Sequence, residues 1–251
     1  MKCIYLLFLM FSITAQSQLN GELSENIIIN SKVLGYSLQF RVYTPKGMKD
    51  SDQLSTMYIV DGQWYLEQGQ MAKIIDKEIT DKKISPIIAI FIDNRDPYDL
   101  EVNRRNYEFF CNEKYISFFK DELIPEIDNN YPTNPNRLNR VIQGVSFGGY
   151  NAACFGILAN DKFAGISMHS PANAQMVSEV SQIYKKLDKL PLKIFLSVGN
   201  QNDNQMQNRT FRSILKDKGY DLQFKQSRRG HGWDNWKPLI DDTLRWFYST
   251  E

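Results

Sequence analysis

The chain has 251 residues, 42% hydrophobic and 13% aromatic, and a formal net charge of +1. That length can bury a sizeable core, while the near-neutral balance excludes a basic field for nucleic acid and an acidic tail for a charged partner. Three cysteines are too few for a disulfide-stapled mini-protein, and no CxxC or His/Cys cluster marks a metal site.

The first element is Met1-Lys2 followed by "CIYLLFLMFSITA". A positive start and a short apolar run ending in small residues read as a secretory signal peptide over residues 1–17. Ala15 and Ser17 fill the small-residue positions before the cut. The run is too short to span a bilayer, so the mature chain, residues 18–251, is expected to be secreted or periplasmic with no integral membrane span. Cys3 comes too early in the run to carry a lipid. Beyond the signal, no linker, repeat or low-complexity stretch divides the chain, which reads as a single domain.

Three strand-like segments come next, "IIINS", "YSLQFRVYTP" and "STMYIVDG", the second alternating and the third a short buried run. A helical "LEQGQMAKIIDKEI" follows, then the apolar "PIIAIFID", a stretch after "FIDNRDPYDLEV", with Arg104, Arg105 and Glu108, read as a loop, the amphipathic "EKYISFFKDELIPEIDNN", and "RVIQGVS". The alternation continues with a helix after Ser146, "AGISMHSP", a helix near 176–187, "KIFLSVGN", a helix near 207–218, "DLQFKQS", and a last helix in "WKPLIDDTLRWFYS". Strands alternating with helices predict an α/β fold. Its mostly parallel sheet has about eight strands, helices on both faces and an antiparallel edge from the opening pair.

Gly144-Val145-Ser146-Phe147-Gly148 sits between an apolar strand and a helix. That is the setting of a nucleophile elbow, in which the glycines leave room for a sharp turn and the serine hydroxyl stands clear of the sheet. The alternative is a glycine-rich turn whose serine caps the helix. A serine hydroxyl needs a base, and the chain has only His169 and His231. His231, in "RRGHGWDNW" before the last helix, occupies the place where this fold puts its histidine, whereas His169 comes too early and reads as structural. The acid belongs between serine and histidine, which selects Asp203 in "GNQND", with Asp188 and Asp221 as alternatives. Two backbone donors for an oxyanion are expected from Phe147 N–H and, after the third strand, Gln63 N–H.

These segments resemble the esterase group of α/β-hydrolases that includes enterochelin esterase, esterase D, feruloyl and acetylxylan esterases and the mycolyltransferases. The resemblance runs from about residue 36 to 247 and rests on "YIVDGQWY", "RRNYEFFCNEKYISFFKDELIPEID", "GVSFGGYNA" and "GHGWDNWKPLIDDTLRWF". It implies an exported serine esterase with Ser146, His231 and Asp203 as its triad, acting on a small-molecule or glycan ester and needing no metal or organic cofactor. Acyl transfer to a sugar, or glycan binding without catalysis, are the rival readings. The acid loop is longer than is usual in the group, and Arg229-Gly230-His231-Gly232 replaces the frequent Gly-Gly-His-Asp.

Arg104 or Arg105 is a candidate to meet a substrate carboxylate or catecholate by a forked hydrogen bond; alternatively Arg105 and Glu108 form a structural ion pair. Trp64, Trp233 and Trp236 are candidates for an aromatic substrate wall, or for core anchors. Once the signal is removed Cys111 and Cys154 remain. Cys154 reads as a small buried apolar residue on the helix after Ser146, although the two can in principle pair.

Overall fold

The computed structural model describes residues 19–250, so the signal-peptide reading of residues 1–17, with Cys3, lies outside the described residues. In chain order these residues form β1 (Glu22–Leu23), β2 (Ile27–Asn30), β3 (Ser37–Thr44), β4 (Ser55–Ile59), α1 (Gly62–Glu67), α2 (Met71–Thr80), β5 (Ile87–Asp93), β6 (Arg95–Asp96), β7 (Asp99–Asn103), α3 (Arg105–Glu108), α4 (Glu113–Phe118) and α5 (Ile124–Asn130). Then come β8 (Arg140–Val145), α6 (Phe147–Leu158), β9 (Gly165–His169), α7 (Ala174–Lys186), β10 (Lys193–Gly199), α8 (Gln205–Asp217), β11 (Asp221–Ser227), α9 (Trp233–Trp236) and α10 (Ile240–Tyr248).

Nine strands make one sheet in the order β1-β3-β5-β4-β8-β9-β10-β11, with β2 also on β3. The run from β5 to β11 is parallel, and β3 turns antiparallel against β5. Side chains alternate along each strand, so each central strand feeds two cores. In β5, Ile88, Ile90 and Ile92 point to the layer built by α4–α8, while Ile87, Ala89 and Phe91 point to the layer of α1, α2 and α10. A strand covered on both faces has no polar side, which is why "IIAIFID" is buried throughout.

Four expectations need correction. The helix expected over residues 66–79 is two helices, because Gln70 turns left-handed (φ 51°). A Cβ on Gly69 would lie 2.7 Å from the Tyr65 carbonyl oxygen and 2.8 Å from the Trp233 ring, so the chain breaks where Trp233 packs. The amphipathic run over 113–130 carries a π-helical turn at Phe119–Leu123, beside Pro125, which has no N–H for the regular ladder. The stretch read as a loop opens with the short helix α3, and just before it stands the β6–β7 hairpin, whose β7 is exposed along its whole length and so has no burial pattern to betray it.

The fourth concerns cysteine. Cys154 is not a free apolar residue: it is disulfide-bonded to Cys111, with Cα atoms 5.1 Å apart and a sequence separation of 43. Closing a loop of that size is worth about 4 kcal/mol in the chain-entropy picture. The bridge ties the segment after α3 to the back of α6.

Candidate active site

At the end of β8 the chain enters α6 through Ser146, whose backbone sits at φ 53°, ψ −122°. The turn is this tight because Gly144 and Gly148, which meet across it, have no side chains: a Cβ on Gly144 would lie 2.2 Å from the Gly148 carbonyl carbon. Ser146 N–H donates to the His169 carbonyl at 2.9 Å, and the Ser146 carbonyl accepts from Ala172 N–H at 2.9 Å, so β9 and the loop after it clamp the corner. The hydroxyl does not cap α6. It lies 2.8 Å from His231 Nε2 instead.

His231 arrives on the loop after β11. That loop is zipped to the one after β10 by Gln201 N–H to the Arg229 carbonyl (3.1 Å) and Asn200 N–H to the Ser227 carbonyl (3.1 Å). The zipped pair sets His231 Nδ1 2.5 Å from Asp203 Oδ1. Asp203 is only 1% exposed, whereas the His231 side chain keeps 30% of its surface open. The second Asp203 oxygen accepts from Ser170 Oγ (2.6 Å), Gly199 N–H (2.5 Å) and Asn235 Nδ2 (3.2 Å). With Nδ1–H donated to the carboxylate, Nε2 keeps its lone pair for the serine hydroxyl. Ser146, His231 and Asp203 are thus brought together from three loops, and Asp188 and Asp221 have no part in the group.

Ser170 and Asn235 were not expected from the sequence. Ser170 lies directly after β9, at the same sheet end as Ser146, and that position is the only signal it gives. Trp236, expected as a substrate wall, is 7% exposed and donates its indole N–H to Ser170 Oγ at 2.9 Å. Its ring stands edge-on to His231 at 5.1 Å, so it braces the imidazole rather than facing a ligand. Trp233 packs edge-to-face on Tyr65 at 5.1 Å and is half-buried, as is Trp64. His169 is enclosed by the hydroxyls of Ser197, Ser167 and Thr243, and burial lowers its pKa to about 3.

Strands β4 and β8 are neighbours, with Ile59 opposite Gln143, so the turns at their ends lie side by side. A Cβ on Gly148 would come within 3.0 Å of Asp61 Oδ2. Asp61 bends the chain left-handed (φ 57°) into α1, and its carbonyl takes the N–H groups of Trp64 and Tyr65. Gln63 and Phe147 stand in the first turns of α1 and α6, where N–H groups have no intrahelical acceptor.

The two arginines are committed inward. Arg104 Nη2 pairs with Asp96 at 2.5 Å and lies over the Tyr36 ring, while Arg105 Nε pairs with Asp61 at 2.6 Å. The expected Arg105–Glu108 pair is absent because Glu108 turns to Asn94 Nδ2 (2.5 Å) and Tyr36 Oη (2.7 Å). Burial raises Glu108 to about 7, and raises Asp61 to about 6 in spite of Arg105.

The raised Glu108 has a pH consequence. The unfolded carboxyl ionises from its ordinary 4.5, while the folded one holds its proton to about 7. The stability this gives is full below 4.5 and is lost as pH rises through about 7. The loss amounts to about 3 kcal/mol. Thermal melts of Glu108→Gln across this range are expected to show a flatter pH dependence than the parent; an equal slope in both would assign the dependence elsewhere.

A family model described as "Putative esterase" matches residues 31–247. An acetyl esterase of Caldicellulosiruptor saccharolyticus is 22% identical over 233 residues, 78% of this chain and 84% of that relative. Among solved structures, a ferulic acid esterase superposes with a TM-score of 0.74 at 18% identity, covering 91% of this chain and 98% of the other. The enterobactin esterase of Shigella flexneri, crystallised in the presence of enterobactin, gives 0.77 at 19% identity, covering 89% of this chain and 58% of that longer one. At these identities the structural likenesses establish the fold, an α/β-hydrolase sheet.

Proposed function

The chain belongs to this esterase family and is a carboxylic ester hydrolase, and from that premise we propose that it works through an acyl-enzyme on Ser146. Ser146 Oγ attacks the ester carbonyl while His231 Nε2 takes its proton, and Asp203 stabilises the resulting imidazolium. The N–H groups of Phe147 and Gln63 receive the developing oxyanion. His231 then returns the proton to the leaving alcohol, and a water, activated by the same imidazole, releases the acid. Neither half-reaction calls for a metal or organic cofactor. The observation that carries this reading is the unbroken relay from Ser146 Oγ through His231 to a buried Asp203 carboxylate, at 2.8 and 2.5 Å.

The favoured substrate is an aromatic acyl ester of a carbohydrate. Two features support it over a siderophore-type ester. Phe110 is 48% exposed and its ring lies 5.6 Å from that of Phe147, the residue after the nucleophile, which gives an acyl aromatic a surface to lie on. Arg104 and Arg105, the residues that would meet a catecholate, are held by Asp96 and Asp61. Export is part of the proposal, supported by the apolar leader and by the Cys111–Cys154 bridge, since thiols stay reduced in most cytosols. Among the described residues no helix is long and apolar enough to cross a membrane.

The test is a panel of purified protein against an aryl acetate, feruloyl and acetyl oligosaccharides and a catecholate trilactone, with fluorophosphonate labelling alongside. Expected are label on Ser146 and fastest turnover of the feruloyl sugar. Faster trilactone turnover would overturn the substrate, acyl transfer to an added oligosaccharide would make the chain a transferase, and glycan binding without label would overturn the mechanism.

A further inference from the structure

We infer that the Asp61–Arg105 ion pair is a positioning device that locks the two oxyanion turns to each other; the inference rests on the acyl-enzyme reading above. The proposed donors, Gln63 N–H and Phe147 N–H, come from different turns, and an oxyanion is held only if both point at one spot. A single guanidinium spans them. Arg105 Nε binds Asp61, two residues before Gln63, at 2.6 Å, and Arg105 Nη2 donates to the carbonyl of Val145, two residues before Phe147, at 3.4 Å. The guanidinium carbon also lies 5.3 Å from the Trp64 ring centre and 5.1 Å from that of Phe147. Arg105 therefore binds a residue just before each donor and packs on the Phe147 ring, but hydrogen-bonds neither donor N–H itself.

The arginine is itself fixed. Its side chain is 11% exposed, its own N–H donates to Asn103 Oδ1 at 2.9 Å, and the segment beyond α3 is tied to α6 by Cys111–Cys154. The lock is also a matter of charge. Asp61 is wholly buried, and its second oxygen, Oδ2, has no hydrogen-bond partner and faces the first turn of α6 beside Gly148. A lone carboxylate there would oppose negative charge growing on the substrate oxygen, and Arg105 cancels it. A lysine in its place would supply the charge without the fork that reaches both turns.

The experiment compares Arg105→Ala, Arg105→Lys, Asp61→Asn and the double variant Asp61→Asn/Arg105→Ala. Two readouts are used: ester kinetics, and hydrogen exchange at the Gln63 and Phe147 amides. Arg105→Ala is expected to lower kcat by about 10²-fold, the scale of losing one oxyanion donor, with KM little changed. Added guanidinium ion is expected to restore part of that loss, Arg105→Lys to fall between, and the double variant to exceed Arg105→Ala because the orphaned charge has gone. Exchange at both amides should quicken in Arg105→Ala, or in Asp61→Asn if the alanine variant fails to fold. A loss confined to KM would mean that Arg105 touches substrate, and unchanged exchange in a folded variant would mean that no lock exists; either overturns the inference. Ser146→Ala, run in parallel, separates the two claims: if it keeps turnover the acyl-enzyme reading falls, while amide exchange still decides the lock.

Discussion

Ser146→Ala is expected to abolish ester turnover, lowering kcat by about 10⁴- to 10⁶-fold, while the protein stays folded. The size follows from what alanine removes. The 2.8 Å contact to His231 disappears, and with it the only hydroxyl presented at the β8–α6 corner, so the substrate carbonyl has no protein nucleophile to receive it. The two proposed oxyanion donors belong to the backbone and remain. Residual rate above water is therefore expected from them alone. His231→Ala should cost a similar factor and the double variant scarcely more, because in the proposed mechanism the two residues act as one unit. Steady-state kinetics with a matched thermal melt check this. A Ser146→Ala protein that melts normally and turns over within tenfold of the parent would show that the chemistry lies elsewhere.

Gly144→Ala is expected to damage fold and rate together. The added methyl would stand 2.2 Å from the carbonyl carbon of Gly148, 2.3 Å from its oxygen and 2.7 Å from its Cα. All three are backbone atoms of a helix pressed on the sheet, and no rotamer change can clear them. Either β8 or the first turn of α6 must move, at a cost of about 3 kcal/mol or more. The movement would carry Phe147 N–H and Ser146 Oγ with it. Chemical denaturation and fluorophosphonate labelling on the same sample would register both losses. A variant as stable and as quickly labelled as the parent would mean that the corner tolerates far more rearrangement than its packing indicates.

What the sequence discloses follows from which forces leave a pattern in it. The parallel strands are legible because two-sided burial writes apolar runs such as "IIAIFI" in β5, while β8, "RVIQGV", is buried throughout although it carries Arg140 and Gln143. The strand–turn–helix around Ser146 is legible because sterics demand glycine on both sides of the bend. The β6–β7 hairpin is silent because β7 is exposed throughout, and burial is what makes periodicity. The Cys111–Cys154 pairing is silent for a different reason: spacing in sequence carries no information about Cα separation. Arg105 and Glu108 are conspicuous in sequence, yet their partners are not, since Asp61, Asn94 and Tyr36 reach them only through the sheet. Ser170 and Asn235 hold the far side of Asp203, yet Ser170 stands in no motif and Asn235 is only an unremarked position within "GHGWDNW".

The dihedral angles at Ser146 belong to a region that glycine enters freely and other L-residues enter at about 1–3 kcal/mol. The hydroxyl proposed as the nucleophile is thus carried against the chain's own thermodynamic preference. A descendant released from chemistry but still needed as a scaffold would grow sturdier by drifting to glycine at position 146, and that one replacement would be a legible scar of abandoned catalysis.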